Sequence, residues 1–140
     1  MNRAVRTALA RLLAFSAAVL SPGAHAAWVE YDRDENMTQY YESAIAKKGA
    51  IATVTVLSNA KLPVEVKEGV SFRSVVITAE FNCDKRIGRD LTYTFKSGSM
   101  GAGTNVPMPE VADRKWDSAP LTAESDASRY AIWKIACGKK

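Results

Sequence analysis

Phe72-Arg73-Ser74-Val75-Val76-Ile77-Thr78-Ala79-Glu80-Phe81-Asn82-Cys83 is the stretch that decides the fold. It is dense in β-branched and aromatic residues and holds neither Gly nor Pro, so it reads as a long strand. Asp84 to Gly88 then turns the chain, and Leu91-Thr92-Tyr93-Thr94-Phe95 alternates cleanly. Leu91, Tyr93 and Phe95 face one side and Thr92 and Thr94 the other, the period of a strand. Two such runs joined by a polar turn predict an antiparallel pair.

Upstream, Ala50 to Leu57 carries Ile51, Thr53, Val54, Thr55 and Val56 and reads as another strand. Ala27 to Asp32 alternates, Arg33 to Asn36 is a polar turn, and Met37 to Ser43 returns with Tyr40 and Tyr41 on opposite faces, a natural hairpin. Ala44 to Lys48 has helical character, cut off after one turn by Gly49. Asn59 to Gly69, with Pro63 and alternating charges, reads as a loop with a short edge strand at Val64-Glu65-Val66.

Downstream, Gly98 to Gly103 reads as a flexible connection. It is no phosphate loop, because no Gly-Lys-Ser/Thr follows and no helical pattern opens after it. Residues 104–120, with Pro107, Pro109 and Pro120, form a loop anchored by Trp116. From Glu124 to Cys137 the period becomes helical. Ser125 or Asp126 serves as N-cap, Ala131, Ile132, Ile135 and Ala136 form an apolar stripe, and Gly138 terminates the helix. Tyr130, Trp133 and Cys137 make a second row, read as core packing. The fold class is therefore α+β: an antiparallel sheet of five to six strands with one C-terminal helix packed on a face. The other face stays open to solvent or to a partner.

Residues 1–26 have a different character. Arg3, Arg6 and Arg11 precede the apolar run Leu12 to Leu20, Ser21-Pro22-Gly23 breaks any helix, and Ala24-His25-Ala26 places small residues where a signal peptidase reads. The run is far short of the roughly 20 residues needed to span a hydrocarbon core of roughly 30 Å. We expect a cleavable signal peptide over 1–26, cleavage between Ala26 and Ala27, and a single domain over 27–140. With no Cys near the cleavage point, no lipoprotein and no lasting membrane anchor are expected. Three of the 19 basic residues and none of the 15 acids lie in the segment, so the net charge of +4 falls to +1 without it. The basic balance is thus no footprint of nucleic acid or membrane.

The chain's single histidine, His25, lies inside that segment. Ser-His-Asp catalysis, Cys-His catalysis and His-based metal sites are therefore not expected of residues 27–140. Neither metal nor cofactor is expected. Carboxylate chemistry at Asp32/Asp34 or Glu65/Glu80 is the weaker alternative, since charges in turns and on strand faces are normally solvated. Cys83 and Cys137 are the two cysteines, too far apart for a Cys-x-x-Cys site, and in an exported chain they read as one structural disulfide.

Several features in order make the chain resemble the surface-adhesin protein E family. They are Trp28 after the signal, Tyr40-Tyr41 before Ser43-Ala44-Ile45 and Gly49, and the strand closing on Asn82-Cys83-Asp84. Met100-Gly101 and Gly103, Trp116 and Ile135-Ala136-Cys137 follow. The resemblance implies an antiparallel sheet with a packed helix, a Cys83–Cys137 bridge and a homodimer. For the namesake adhesins it also implies binding to host extracellular-matrix or plasma proteins. The expected function is that of a small, exported, non-enzymatic binding protein, periplasmic or secreted. A periplasmic envelope factor or inhibitor is the alternative.

Exported material should begin at Ala27 and lack the mass of residues 1–26. Intact-mass spectrometry of envelope and medium fractions checks this, and a retained Met1 refutes it.

Overall fold

The structure, a computed structural model, describes residues 27–109 and 113–139. β1 (Trp28–Arg33) and β2 (Met37–Glu42) form the N-terminal hairpin. Its turn is closed by Asp34, whose carboxylate accepts from the N–H groups of Asn36 at 2.7 Å and Met37 at 2.8 Å. Those two donors hold the Asp34 carboxyl below the usual range. β3 (Ala46–Lys48), β4 (Ile51–Lys67), β5 (Val70–Asn82) and β6 (Ile87–Lys96) follow, and α1 (Ala127–Ala136) ends the described chain. The sheet is antiparallel throughout, in the order β1-β2-β4-β5-β6, with β3 pairing β4 along the edge that β2 also uses. Six strands and one C-terminal helix are the architecture expected from the sequence.

Several elements differ from that expectation. Ala44 to Lys48 is not helical, since Ala46–Lys48 pairs with Ile51–Thr53 around Gly49. A one-turn helix is too short to overcome its nucleation cost, and a ladder with β4 satisfies the same backbone groups. The strand expected at Val64-Glu65-Val66 is present, but the rest of Asn59 to Gly69 is not the expected loop, because β4 runs through it to Lys67. Pro63, which has no N–H to give, falls inside the irregularity between Asn59 and Val64, the place a strand tolerates it. Arg73 secures the bulge by donating to the carbonyls of Ala60 at 3.2 Å and Lys61 at 2.8 Å. β6 also begins earlier than its alternation shows, at Ile87, and the helix starts at Ala127 rather than Glu124.

The core lies between sheet and helix. Ala52, Val54 and Val56 of β4, with Ala79 and Phe81 of β5, meet Ile132, Trp133, Ala136 and Cys137 of α1, and Leu121 closes the side. Each large side chain buried there contributes about 1.5–3 kcal/mol. Asp126 caps α1 by accepting from the Arg129 N–H at 2.9 Å, and Gly138, at φ 64°, ends it in the left-handed conformation glycine adopts without strain. Of the expected second row, Trp133 and Cys137 are buried and Tyr130 half-buried; of the expected stripe, Ile132 and Ala136 are buried and Ala131 and Ile135 half-buried.

Cys83 and Cys137 form a disulfide, joining the residue after β5 to the end of α1. Alongside it, the Trp133 indole N–H donates to the Asn82 carbonyl at 3.3 Å. The bridge closes a loop with a separation of 54 residues, which restricts the unfolded chain by about 4 kcal/mol.

Cys83→Ser, Cys137→Ser and the double variant should each lose about that much stability, and reduction of the wild type should match them. Chemical unfolding with free-thiol titration checks this. Variants that unfold with wild type would refute it.

Candidate functional site

Both faces of the sheet are covered, by different devices. On the far face from α1, the segment Gly98–Gly103 folds back through a 3-10 turn at Ser99–Gly101. Ser74, fully buried, donates to the Gly98 carbonyl at 2.6 Å and accepts from the Gly101 N–H at 2.9 Å. The Asn59 side-chain oxygen accepts from the Ser99 hydroxyl at 3.0 Å and the Met100 N–H at 2.7 Å. Gly101, at φ 76°, takes the left-handed conformation that glycine adopts without strain, and its backbone packs over Leu57 and Val76. Leu57 is fully buried as a result. The connection expected to be flexible is therefore a packed cover, and the sheet face expected to be open is closed at its centre.

On the helix face, Arg129 stands between Asp90 at 3.0 Å and Asp117 at 3.1 Å, with its guanidinium 5.6 Å above the Phe81 ring. Asp117 also accepts from the Gly88 N–H at 2.8 Å, so the loop before α1 is tied to β6. Tyr93 donates to the second oxygen of Asp90. Burial, opposed by a hydrogen bond to Ser128, pushes the Tyr31 phenol up to about 12; burial and the Asp90 carboxylate push Tyr93 up to about 12. Both stay protonated. Arg89 pairs with Glu80 at 2.7 Å and lies 4.6 Å from the Trp116 ring centroid, which is how Trp116 anchors its loop. A cleft of about 160 Å³ remains beside the helix N-terminus, with Val56, Ile77 and Ala79 as its floor and Tyr31, Gln39 and Arg129 on its rim. Among the described residues no buried side-chain polar atom lacks a partner, so these groups serve one another.

The exposed apolar surface gathers at strand edges and tips. Beyond Ala60, where the pairing with β2 ends, the β4–β5 hairpin projects past the rest of the sheet. Leu62 there is 76% exposed, and Val64 and Val66 are exposed beside it. Along the other edge, β6 borders a groove of about 360 Å³ lined by Leu91, Tyr93, Phe95, Val106, Met108 and Pro109. Its ends are fixed where the Val106 N–H donates to the Phe95 carbonyl at 2.8 Å and Arg114 Nε donates to the Leu91 carbonyl at 3.1 Å. The sequence shows this tip only as the short strand Val64-Glu65-Val66, because Pro63 and the alternating charges mask its continuity with β4; the pairs Val64/Phe72 and Lys67/Val70 that build it are visible only in the ladder.

Of the residues singled out in the sequence, Cys83 and Cys137 are brought together. Ala26 lies outside the described residues, and Ala27 is the exposed first residue within them. The carboxylates do not converge. Asp32 accepts from the N–H of its neighbour Arg33, and Asp34 serves the turn. Glu80 is paired with Arg89, while Glu65 sits in the hairpin opposite Ser71.

A family model described as Surface-adhesin protein E matches residues 28–138. The chain belongs to this surface-adhesin family. Its fold is that of solved structures of Haemophilus influenzae protein E. Crystal form II of that protein is 18% identical with a TM-score of 0.56, covering 77% of this chain and 91% of that one. A second structure is 19% identical with a TM-score of 0.57, covering 79% and 83%, and one from non-typeable Haemophilus influenzae is 19% identical at 0.54, covering 85% and 82%. No curated protein sequence matches this one. A surface adhesin of this family is an exported or surface protein, and among the described residues no helix is long and apolar enough to cross a membrane.

Asn59→Ala should remove two of the four side-chain bonds that hold the far-face cover, leaving those of Ser74, and cost about 1–3 kcal/mol. Thermal unfolding should show the loss, and limited proteolysis of native protein should cut within 98–103 faster than in wild type. Unchanged cleavage would refute the anchoring role.

Proposed function

We propose that this adhesin-family chain is processed after Ala26 and works in the periplasm or outside the cell as a non-enzymatic binding protein. Its partner is a host extracellular-matrix or plasma protein, held by the projecting β4–β5 hairpin. The observation carrying this reading is the exposure of Leu62, Val64 and Val66 on a strand pair that no other element covers. Apolar side chains grouped in water at a protruding tip mark an interaction surface, and protein interfaces are built around such anchors. The hairpin also offers backbone. The outer edge of β4 past Lys61 pairs with no other strand among the described residues, so an extended segment can add to it as a further strand. The homodimer implied by family resemblance would use the same kind of free edge. The carboxylates that carboxylate catalysis would need do not converge, with Asp34 serving a turn, Glu80 paired to Arg89 and Glu65 out on the hairpin.

The test is capture of the exported protein on a panel of purified matrix and plasma proteins, compared with Leu62→Ser/Val64→Ser/Val66→Ser. Because these side chains are exposed, the triple variant should melt with wild type while losing at least about tenfold in affinity, a change of about 1.4 kcal/mol. No capture by wild type, or capture unchanged in the triple variant, refutes the reading.

A further inference from the structure

The disulfide end of the molecule collects cations from three separated segments. Lys47 and Lys48 lie on β3, Lys85 and Arg86 in the β5–β6 turn, and Lys134 and Lys139 at the end of α1. Backbone and side-chain contacts bring the segments together. Lys47 Nζ donates to the Cys137 carbonyl at 3.4 Å, Cys83 is bonded to Cys137, and the Lys85 and Arg86 N–H groups donate to Asn82 at 3.0 Å each. The acid in these segments is Asp84, so the cap holds six cations against one carboxylate, a net of +5. The rest of residues 27–140 holds ten cations against fourteen acids, a net of −4. The acidic turn at Asp32, Asp34 and Glu35 lies beside the Ala60 end of β4, and the run from Ile51 to Ala60 separates the two poles by about 30 Å. A chain with almost no net charge thus gathers a positive excess at one end.

Folding chemistry accounts for part of the cap. The carbonyl end of α1 favours cations, which covers Lys47, Lys134 and Lys139, and Lys134 also lies 5.8 Å from the Tyr130 ring centroid. It does not cover Lys48, Lys85 and Arg86, which are exposed and form no salt bridge among the described residues. Like charges placed together without counter-charges repel, and a polyanion relieves that repulsion.

We propose that this cap is a docking surface for a sulfated polysaccharide. The chemistry of the cap selects that polyanion over others. None of the exposed large apolar side chains, Val29, Leu62, Val64, Val66 and Met100, lies in the three segments, so there is no wedge to enter a lipid surface. No Phe, Tyr or Trp lies in residues 46–50, 83–87 or 134–139, so there is no platform for nucleic-acid bases. Five of the six cations are lysines, compact point charges that attract a polyanion by charge density and lack the bidentate fork with which arginine recognises phosphates and bases. The proposal rests on the outward-facing role above but uses the opposite end of the molecule from the hairpin.

Heparin is the probe, with chemically desulfated heparin, phosphatidylglycerol vesicles and duplex DNA as comparisons, measured on the exported protein over a salt series. Heparin should bind, with affinity falling steeply as salt rises, and the desulfated form should bind far more weakly. Lys47→Gln/Lys48→Gln and Lys85→Gln/Arg86→Gln should each lose roughly thirtyfold, from roughly 1 kcal/mol per cation at about tenfold per 1.4 kcal/mol. Lys67→Gln/Lys115→Gln, an equal change in charge away from the cap, should stay within about twofold because of screening. Equal losses in all three variants would show a net-charge effect and overturn the proposal. Tighter binding to vesicles or DNA than to heparin, or no binding to heparin, would overturn it as well. Capture of matrix proteins by the hairpin reads separately, since the cap variants leave Leu62, Val64 and Val66 intact and the hairpin variant leaves every cap cation in place.

Discussion

The C-terminal end of β5 is where this structure is tied together. Asn82 pairs with Ile51 on one side and Ile87 on the other, and its carbonyl accepts from both the Arg86 N–H and the Trp133 indole. Its side-chain oxygen shapes the turn that follows by accepting from Asp84 and Lys85. One residue later the chain is covalently joined to the end of α1. A ten-residue helix has little stability of its own in water, so it persists because this cluster holds it against Ala52, Val54, Ala79 and Phe81. The far end of the helix is held by a different chemistry, the Arg129 pairs with Asp90 and Asp117. Apolar packing therefore sits between a covalent clamp and an ionic one.

Covering both faces of the sheet has a functional consequence. The helix takes one face and the Ser99–Gly101 turn takes the centre of the other, so broad sheet surface is not what the molecule presents. Partners are left with strand edges, the β4–β5 tip and the charged pole. An adhesin gains from this arrangement. A rigid, disulfide-closed body keeps its contact residues at the periphery, and changes at Leu62 or Lys85 do not reach the core. The two surfaces also differ in kind, one apolar and strand-forming, the other cationic, and they lie at opposite ends of the central strands.

Much of the architecture was legible because strand and helix periods are local properties. The β5 stretch from Phe72, the alternation from Leu91 to Phe95 and the stripe at Ile132 and Ala136 each announce themselves within a few residues. The failures share a cause. Ala46–Lys48 is a strand, and the expected strand at Val64–Val66 is continuous with β4, only because a neighbour supplies hydrogen bonds, Ile51–Thr53 in one case and Val70–Phe72 in the other. The glycine segment 98–103 is ordered for the same reason: its partners, Asn59 and Ser74, are distant in sequence and close in the fold.

By itself the sequence determined the fold class, the pairing of its two cysteines and the absence of histidine from residues 27–140, because these depend on residue type, count and short-range period. It also determined a nearly balanced charge over that region. Only the tertiary structure decided where the charges go. Lys47, Lys85 and Lys139 are far apart along the chain, and antiparallel pairing with the Cys83–Cys137 clamp places them at one end. Net charge is a sum over composition, whereas electric field depends on position, and position is set by long-range contacts that no local pattern encodes.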